Sequence, residues 1–545
     1  MTASWSEAAW DYIVVGAGSA GCVLADRLSR DPKRRVLLLE AGPTDASPLV
    51  HMPKGMGKLF GDPRYLHVFQ TEADDATPAE SWIRGKLLGG SSSINGMMYF
   101  RGQPQDYDLW AEAAGPAWGW AAMQRAFAAV EDHEQAGRPG ATPGLGSGGP
   151  LHISTSPDRS VLCEALIKAG MQMGLPRRLD VTQSDREGVA YATRTLKRGR
   201  RQSAAEAFLK PALRRPNLHV VTGAFVEKVM FEGWRTSGVR VRAGGRTRVV
   251  RTRGEVILSA GALVSPMILQ RSGVGPAAHL AGLGTPVVKD APSVGRRLLE
   301  HRLLMMEYAL LKPQSQNAEF RGWRLYRNAA RYALARSGPL AAGSYEVAAF
   351  ARTAAHEPLP DAEILIAPYS LGVNSRGEVA TGAGHGVHLF GYPLRSRSEG
   401  SVMVSSADPD APPVIRPNYL SHPYDQAVTV RMFRYIRRWM RQPALAGLIG
   451  EETSPGVSLQ NDDEIVAAFR SRGQSGYHAC GTCRMGRDDA AVVDAELRVR
   501  GVDGLRVVDG SVMPTMVSCN TNGPIIAMAW RAADLILQRF GEGLG

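Results

Sequence analysis

Cysteine is scarce in this chain. Its 545 residues include five, Cys22, Cys163, Cys480, Cys483 and Cys519. An odd, scattered set makes no disulfide framework, which points to a reducing compartment and a cytoplasmic location. Long apolar runs are absent as well, which argues against a membrane-spanning helix. The opening MTASWSEAAWDY carries neither a basic start nor the apolar stretch of a secretory signal. No internal repeat is visible. Acidic residues are outnumbered, 52 against 64 Lys and Arg, for a formal net charge of +12. The basic runs at 194–201 (RTLKRGRR) and 246–253 (RTRVVRTR) have no aromatic residues between the charges. Solvated, arginine-rich surface fits them better than a nucleic-acid or membrane site.

What is present describes a soluble protein of more than one core. A chain of 58.7 kDa is too large for a single one, so two lobes are expected. Its 60 glycines suit a backbone that must lie close to a ligand.

The chain is organised around residues 11–42, DYIVVGAGSAGCVLADRLSRDPKRRVLLLEAG. A buried apolar strand (12–15) leads into Gly16, Gly18 and Gly21, which fit G-x-G-x-x-G, and residues 22–28 continue with helical spacing. Gly16 allows the tight turn, Gly18 lets a pyrophosphate approach the backbone, and Gly21 allows helix and strand to pack closely. A second strand (35–39) ends on Glu40, placed to accept hydrogen bonds from a ribose diol. A bare glycine-rich turn would not need this strand–helix–strand setting. The motif leaves FAD and NAD open, while Glu40 disfavours a 2′-phosphate by charge repulsion.

Residues 43–80 read as an irregular excursion. The stretch 81–102, SWIRGKLLGGSSSINGMMYFRG, then offers backbone N–H groups around Gly89 and Gly90 to one anion. Its apolar neighbours Leu87, Leu88, Ile94, Met97 and Met98 suggest a buried loop whose amides need a partner.

This stretch resembles the first signature of the glucose–methanol–choline (GMC) oxidoreductases, FAD-dependent enzymes that oxidise alcohols. Residues 261–275, GALVSPMILQRSGVG, resemble the second signature, and 477–537 is similar to the family's C-terminal region. The resemblance implies non-covalent FAD, since Ile94 stands where some members carry a flavin-linked histidine. It implies cofactor contacts at Ser19, Ala20, Ala41, Arg84, Ser93, Asn95, Gly96, Met97 and Ala260, besides the glycines and Glu40. Val226 matches a backbone contact at the adenine end. Asp509 and Gly510 match the pyrophosphate and ribityl region, and Thr521 and Asn522 match contacts at the flavin ring. His478 matches the active-site histidine and Asn520 the second position, which is His or Asn in members.

Helices are expected over 106–135 with a Gly-Pro break, 160–173, 203–213 (opened by a Ser203/Glu206 capping box), 321–336 and 425–442. Residues 218–229 and 239–257 alternate as strands, and 255–260 reads as a further buried strand. Short strands clustered at 346–352, 363–368, 386–394 and 401–405 argue for an antiparallel sheet. The expected fold is α/β, or α+β overall. A Rossmann-like FAD-binding lobe (1–155, 196–310 and 461–545) joins a substrate lobe (156–195 and 311–460) built on an antiparallel sheet with helices.

His478, Cys480 and Cys483 form H-x-C-x-x-C, but the sequence offers no second half for a closed zinc site. His385 and His388, three apart on a strand, point to opposite faces and chelate poorly. No metal is expected. The function expected from the resemblance is oxidation of an alcohol to an aldehyde or ketone, with His478 taking the proton and flavin N5 the hydride. A hydroxynitrile lyase or photodecarboxylase of the same fold, or an NAD-dependent dehydrogenase, are the alternatives. The expected partners are a small alcohol and an unassigned electron acceptor, with no nucleic acid and no membrane span.

Overall fold

The computed structural model describes residues 5–156, 159–373 and 379–538. Two sheets dominate it. The first runs in the order Leu218–Thr222, Val36–Glu40, Trp10–Val15, Arg246–Leu258, with Leu505–Val507 pairing on the far side of Arg246–Leu258, all parallel. Trp10–Val15 has strands on both edges and layers on both faces. Five of its six residues are buried, which is why it reads as a continuous apolar run.

Arg246–Leu258 serves two sheets with one strand. Residues 246–251 pair antiparallel with Arg235–Ala243 and are largely open to solvent. Glu255 to Leu258 are buried and pair with the first strand, Tyr12 opposite Glu255 and Val15 opposite Leu258. The separate strand expected at 255–260 is therefore the second half of this one. The stretch 218–229 is not a single strand either. It breaks at Gly223 into parallel Leu218–Thr222 and antiparallel Ala224–Glu232, because Gly223 takes a φ of +66°. The sequence 239–257 likewise breaks at Gly244-Gly245, both with positive φ.

The second sheet is six-stranded and antiparallel: Ile449–Ser454, Met306–Leu310, Gly386–Pro393, Ala362–Ala367, Val347–Ala351, Gly188–Tyr191. Alternation gives its two faces different fates. Val347, Ala349, Ile364, Ile366, Val387 and Leu389 pack into a core with the helices Val161–Gln172 and Pro423–Met440. Ala348, Phe350, Leu365, Phe390 and Tyr392 join the core shared with the first sheet. That second face looks toward the dinucleotide motif. Gly400–Met403, expected to join this sheet, pairs instead with Arg296–Leu298 and Val414–Arg416. Within 43–80, Leu66–Gln70 is a strand paired with Ser81–Gly85.

Helices occupy Pro104–Ala114, Trp120–Val130, Gly322–Ala335 and Asn522–Gln538. At 203–213 only half of the expected capping box forms. Ser203 Oγ accepts from the Glu206 N–H at 3.2 Å, but the Glu206 carboxylate turns to Lys210. No helix among the described residues is long and apolar enough to cross a membrane.

The segment leaving the glycine–serine loop is pinned by a buried ion pair. The Glu131 carboxylate accepts from Arg101 Nε at 2.7 Å, the Tyr99 hydroxyl at 2.8 Å and the Gly146 N–H at 2.8 Å. Arg101 and Glu131 are both fully buried. Removing one partner strands the other charge, so Arg101→Met should lower unfolding free energy by about 3–5 kcal/mol in urea titration. The Arg101→Met/Glu131→Leu double variant should recover most of the loss.

Candidate active site

The glycines of the first turn are held by backbone, not by side chains. Gly16 has φ +97°, and a Cβ there would lie 2.7 Å from the Ser259 carbonyl. A Cβ on Gly21 would lie 1.9 Å from the Gly16 carbonyl, so helix and strand touch through main chain. Gly18 differs: a Cβ would meet nothing closer than 3.9 Å. No protein packing requires glycine at 18, and the space over it is open to a ligand. The glycine–serine loop closes on this turn from the other side. Gly89 N–H donates to the Ala17 carbonyl at 2.8 Å, and a Cβ on Gly90 would lie 2.7 Å from Gly18 Cα.

Two helices begin at the same place. Ser19–Leu28 starts after Gly18 with no side-chain cap, and Ser19 Oγ donates to Asn522 Oδ1 at 2.7 Å, where Asn522–Gln538 starts. First-turn N–H groups and both positive dipole ends thus converge on one spot, a setting for a pyrophosphate.

Glu40 lies at the other end of the turn. Its carboxylate accepts from Ala17 N–H and Gly42 N–H, both at 2.8 Å. Burial still pushes its pKa up to about 7. Ala41 follows it between these contacts. Asp509 accepts from Gly261 N–H, Ser265 Oγ and Ser511 N–H at 2.6–2.9 Å, and burial raises its pKa too. Ser265 also holds the Ala260 N–H, and Gly510 follows Asp509 in a short turn. In the glycine–serine loop, Ser93 Oγ donates to the Leu88 carbonyl, Asn95 Oδ1 accepts from Met97 N–H, and Gly96 faces Ser344 and Tyr345. Val226 lies on the edge strand Ala224–Glu232. Ile94 is buried with Val50, Leu59, Leu66 and Leu87.

His478 and Asn520 meet directly. Asn520 Nδ2 lies 3.0 Å from His478 Nε2. A third residue, which no sequence motif marked, completes the group. His301 Nδ1 lies 2.9 Å from His478 Nδ1, and His301 Nε2 lies 3.1 Å from the Leu394 carbonyl. A short antiparallel ladder brings the two histidines together: Leu299 and Cys480 exchange both backbone bonds at 3.0 Å, and Gly476 N–H donates to His301 carbonyl at 2.7 Å.

The protons in this chain follow from the acceptor at its end. A carbonyl only accepts, so His301 Nε2 carries the hydrogen and His301 Nδ1 a lone pair. His478 Nδ1 must then be the donor, which leaves the lone pair of His478 on Nε2, facing Asn520. Asn520 presents its NH₂ there, and its Oδ1 is buried without a protein partner. Tyr392 stacks on His301 at 4.4 Å and meets His478 edge-on at 5.4 Å. Burial, then His301 and Arg84, hold the His478 pKa well below 6.5, and burial lowers His301 to about 4. Both rings are neutral at neutral pH.

Glu300 ties the two histidines together through main chain: its Oε1 accepts from the backbone N–H of His478 at 2.7 Å and of His301 at 2.9 Å. Arg84, expected among the cofactor contacts, lies 3.5 Å from Glu300 and against Tyr477. Arg201 is a second residue that the sequence did not mark. It is buried with no carboxylate near it and donates to the carbonyls of Val50, Ser92 and Asn95, so it braces the glycine–serine loop. His385 and His388 serve elsewhere, His385 at Ser315 Oγ and His388 at the Tyr369 carbonyl. Among the described residues one cluster has metal-ligand geometry, Asp45, His51 and Glu206. Lys210 already sits there, bonded to Glu206 and 2.9 Å from Asp45.

Comparison with known proteins decides the family. Residues 10–303 and 396–529 match the N- and C-terminal GMC oxidoreductase family models. The chain is a GMC oxidoreductase. It is 39% identical over 538 residues to the alcohol dehydrogenase (acceptor) of Pseudomonas putida, covering 97% of this chain and 96% of that one. It is also 39% identical over 531 residues to the oxygen-dependent choline dehydrogenase of Sinorhizobium fredii, covering 97% and 95%. The crystal structure of pyridoxine 4-oxidase from Mesorbium loti superposes with a TM-score of 0.86 at 32% identity, over 98% of this chain and 100% of that one. As a GMC oxidoreductase it is an FAD-dependent enzyme that oxidises alcohols. The open space over Gly18, the uncapped helix start at Ser19 and the unpartnered Asn520 Oδ1 all fit such a cofactor and substrate.

The two glycines therefore separate by experiment. Gly18→Ala should leave the unfolding midpoint of the FAD-free protein near wild type but reduce FAD retained on purification. Gly21→Ala should lower that midpoint itself, since overpacking of this kind costs about 1–3 kcal/mol or more. Denaturant unfolding of FAD-free samples beside the flavin absorbance of purified ones reads both.

Proposed function

We propose that His478 is the general base of the alcohol oxidation and that His301 and Asn520 hold it ready. The observation that carries this reading is the hydrogen-bond chain from the Leu394 carbonyl through His301 to a lone pair on His478 Nε2. An alcohol gives up hydride only as its O–H proton leaves, so a base must sit at the hydroxyl. His478 Nε2 accepts that proton once the hydroxyl takes the place of the Asn520 NH₂ on its one lone pair, and the released Asn520 amide, whose Oδ1 has no protein partner, orients the hydroxyl. FAD, when bound, supplies the hydride acceptor. The imidazolium then formed keeps its Nδ1–H on His301.

Around this centre we assign the pyrophosphate to Gly16, Gly18, Ser19, Ala20 and Gly21, and the adenosine ribose to Glu40 and Ala41. Val226 takes the adenine end, Asp509 and Gly510 the ribityl region, and Thr521 and Asn522 the flavin ring. Arg84 we assign to the active-site side, through Glu300, rather than to the cofactor. The substrate lobe in this reading is built from 156–195 and 311–460, with Met306–Leu310 added by its pairing into the six-stranded sheet. The aromatic face of Phe390 and Tyr392 beside His478 favours an alcohol with an apolar body. The five free, buried cysteines suit a cytoplasmic enzyme.

Anaerobic stopped-flow reduction of the holoenzyme tests the base. General-base catalysis is worth about 10²–10⁴-fold, so His478→Ala should slow reduction by that factor with FAD content unchanged, and Asn520→Ala should cost less. His301→Leu removes the acceptor and should slow reduction too, with part of the rate returning in His301→Gln. Because His478 has a lowered pKa, it stays unprotonated as pH falls past 6.5. The acid limb of kcat/KM should therefore lie well below pH 6.5. A wild-type reduction rate in His478→Ala would overturn the assignment.

We also propose that FAD is held without a covalent bond, since Ile94 offers no nucleophile. Heat denaturation and filtration should carry the yellow colour into the filtrate; colour in the precipitate would reveal a link at another residue.

A further inference from the structure

The helix Gly322–Ala335 is attached by one narrow face. Asn328 is its one buried residue; its Nδ2 donates to Glu319 O and Oε2 at 2.9 Å. One turn on, the Tyr332 hydroxyl donates to the His51 carbonyl at 3.3 Å. Opposite these anchors, Trp323, Tyr326, Ala330, Ala333 and Leu334 recur at helical spacing and form a stripe that faces outward. Trp323 is 67% exposed, Tyr326 79% and Leu334 89%. Such large apolar exposure on one stripe calls for a partner.

The charges beside the stripe say which kind. Between Glu319 and Glu346 the chain has five arginines and no acidic residue. Arg324, Arg327 and Arg331 flank the stripe on one side. Glu319 balances only Arg324 and Arg327, at 3.5 and 2.6 Å. At the helix C-terminus the Arg336 carbonyl packs against Gly199, so close that a Cβ there would lie 1.9 Å away. That contact sets the hairpin carrying exposed Lys197 and Arg198 beside the helix. The basic run 194–201, which alone reads as plain surface, thus adjoins an aromatic stripe that it lacks in sequence.

We propose that this helix docks flat on an anionic lipid surface, with the stripe among the acyl chains and the arginines at headgroup phosphates. Guanidinium groups bind phosphate through paired hydrogen bonds, and Trp and Tyr rings favour the interface between water and hydrocarbon. A second copy of this chain fits less well, because it would bring the same arginines and a like net charge of +12. Nucleic acid would use the charges but leave Ala330, Ala333 and Leu334 uncovered.

The holoenzyme should sediment with phosphatidylglycerol/phosphatidylcholine vesicles at low salt, stay in solution with pure phosphatidylcholine vesicles, and be released by added salt. Trp323→Ser/Tyr326→Ser/Leu334→Ser should abolish sedimentation. Arg331→Gln/Arg336→Gln should weaken it by about 25-fold, at about fivefold per basic residue. FAD content and alcohol-dependent flavin reduction in detergent-free buffer should match wild type in both variants, which excludes misfolding. Wild-type protein left in the supernatant with anionic vesicles would overturn the proposal. So would a stripe variant that binds as well as wild type, lipid-free dimers abolished by the stripe variant, or a nucleic-acid gel shift without vesicle binding.

Discussion

The close approach of backbone to backbone around Gly16 is the constraint on which the site rests. The helix after the first strand touches that strand through Gly21 and the Gly16 carbonyl, and the glycine–serine loop lies on Gly18 through Gly90. Any side chain at these contacts would push helix, strand or loop apart by ångströms. The same tightness strips the turn of covering side chains. Its N–H groups and the two helix ends therefore face the open space over Gly18. Packing and ligand binding are in this sense one design: residues 16, 21 and 90 are small for the protein, and 18 is small for the ligand.

Burial sets the electrostatics in two opposite directions. Glu40 has its pKa raised from 4.5 to about 7 although two N–H groups serve its carboxylate. Between those two pH values the unfolded chain gives up this proton while the folded chain keeps it, so this group's contribution to stability falls as pH rises through that window. His301 runs the other way. Its pKa is lowered from 6.5 to about 4, so its contribution is present above 6.5 and is lost as pH falls toward 4. The fold thus keeps an imidazole pair uncharged at neutral pH and moves the titration of one carboxyl up toward it. A ribose diol donating to Glu40, as proposed, favours the ionised form and would couple cofactor affinity to that single proton.

Much of this was legible in order along the chain. The dinucleotide turn and the two sheet types rest on local patterns, and the turn needs only its own strand and helix to form; His478 and Asn520 are marked only by the family resemblance. The misreadings share a cause. Gly223 and the Gly244-Gly245 pair break or turn strands whose alternation continues across them, and alternation carries no sign of a reversal in direction. Gly400–Met403 has the composition of its expected sheet, but the edge a strand joins is a tertiary choice.

His301 shows where sequence reading stops. Nothing in the local sequence 298–303 separates it from a buried structural histidine, and it lies 177 positions from His478. Its meaning comes from a carbonyl, that of Leu394, at the far end of a strand in the other sheet. Three segments meet there: the ladder of 299–303 with 474–480, the loop of Asn520, and the strand end after Tyr392. Only their meeting turns an ambiguous imidazole into one with a defined lone pair. The tautomer of His478 is thus a property of the junction between that ladder and the six-stranded sheet. A change that shifts the ladder against that sheet would alter the base without touching any residue that contacts substrate.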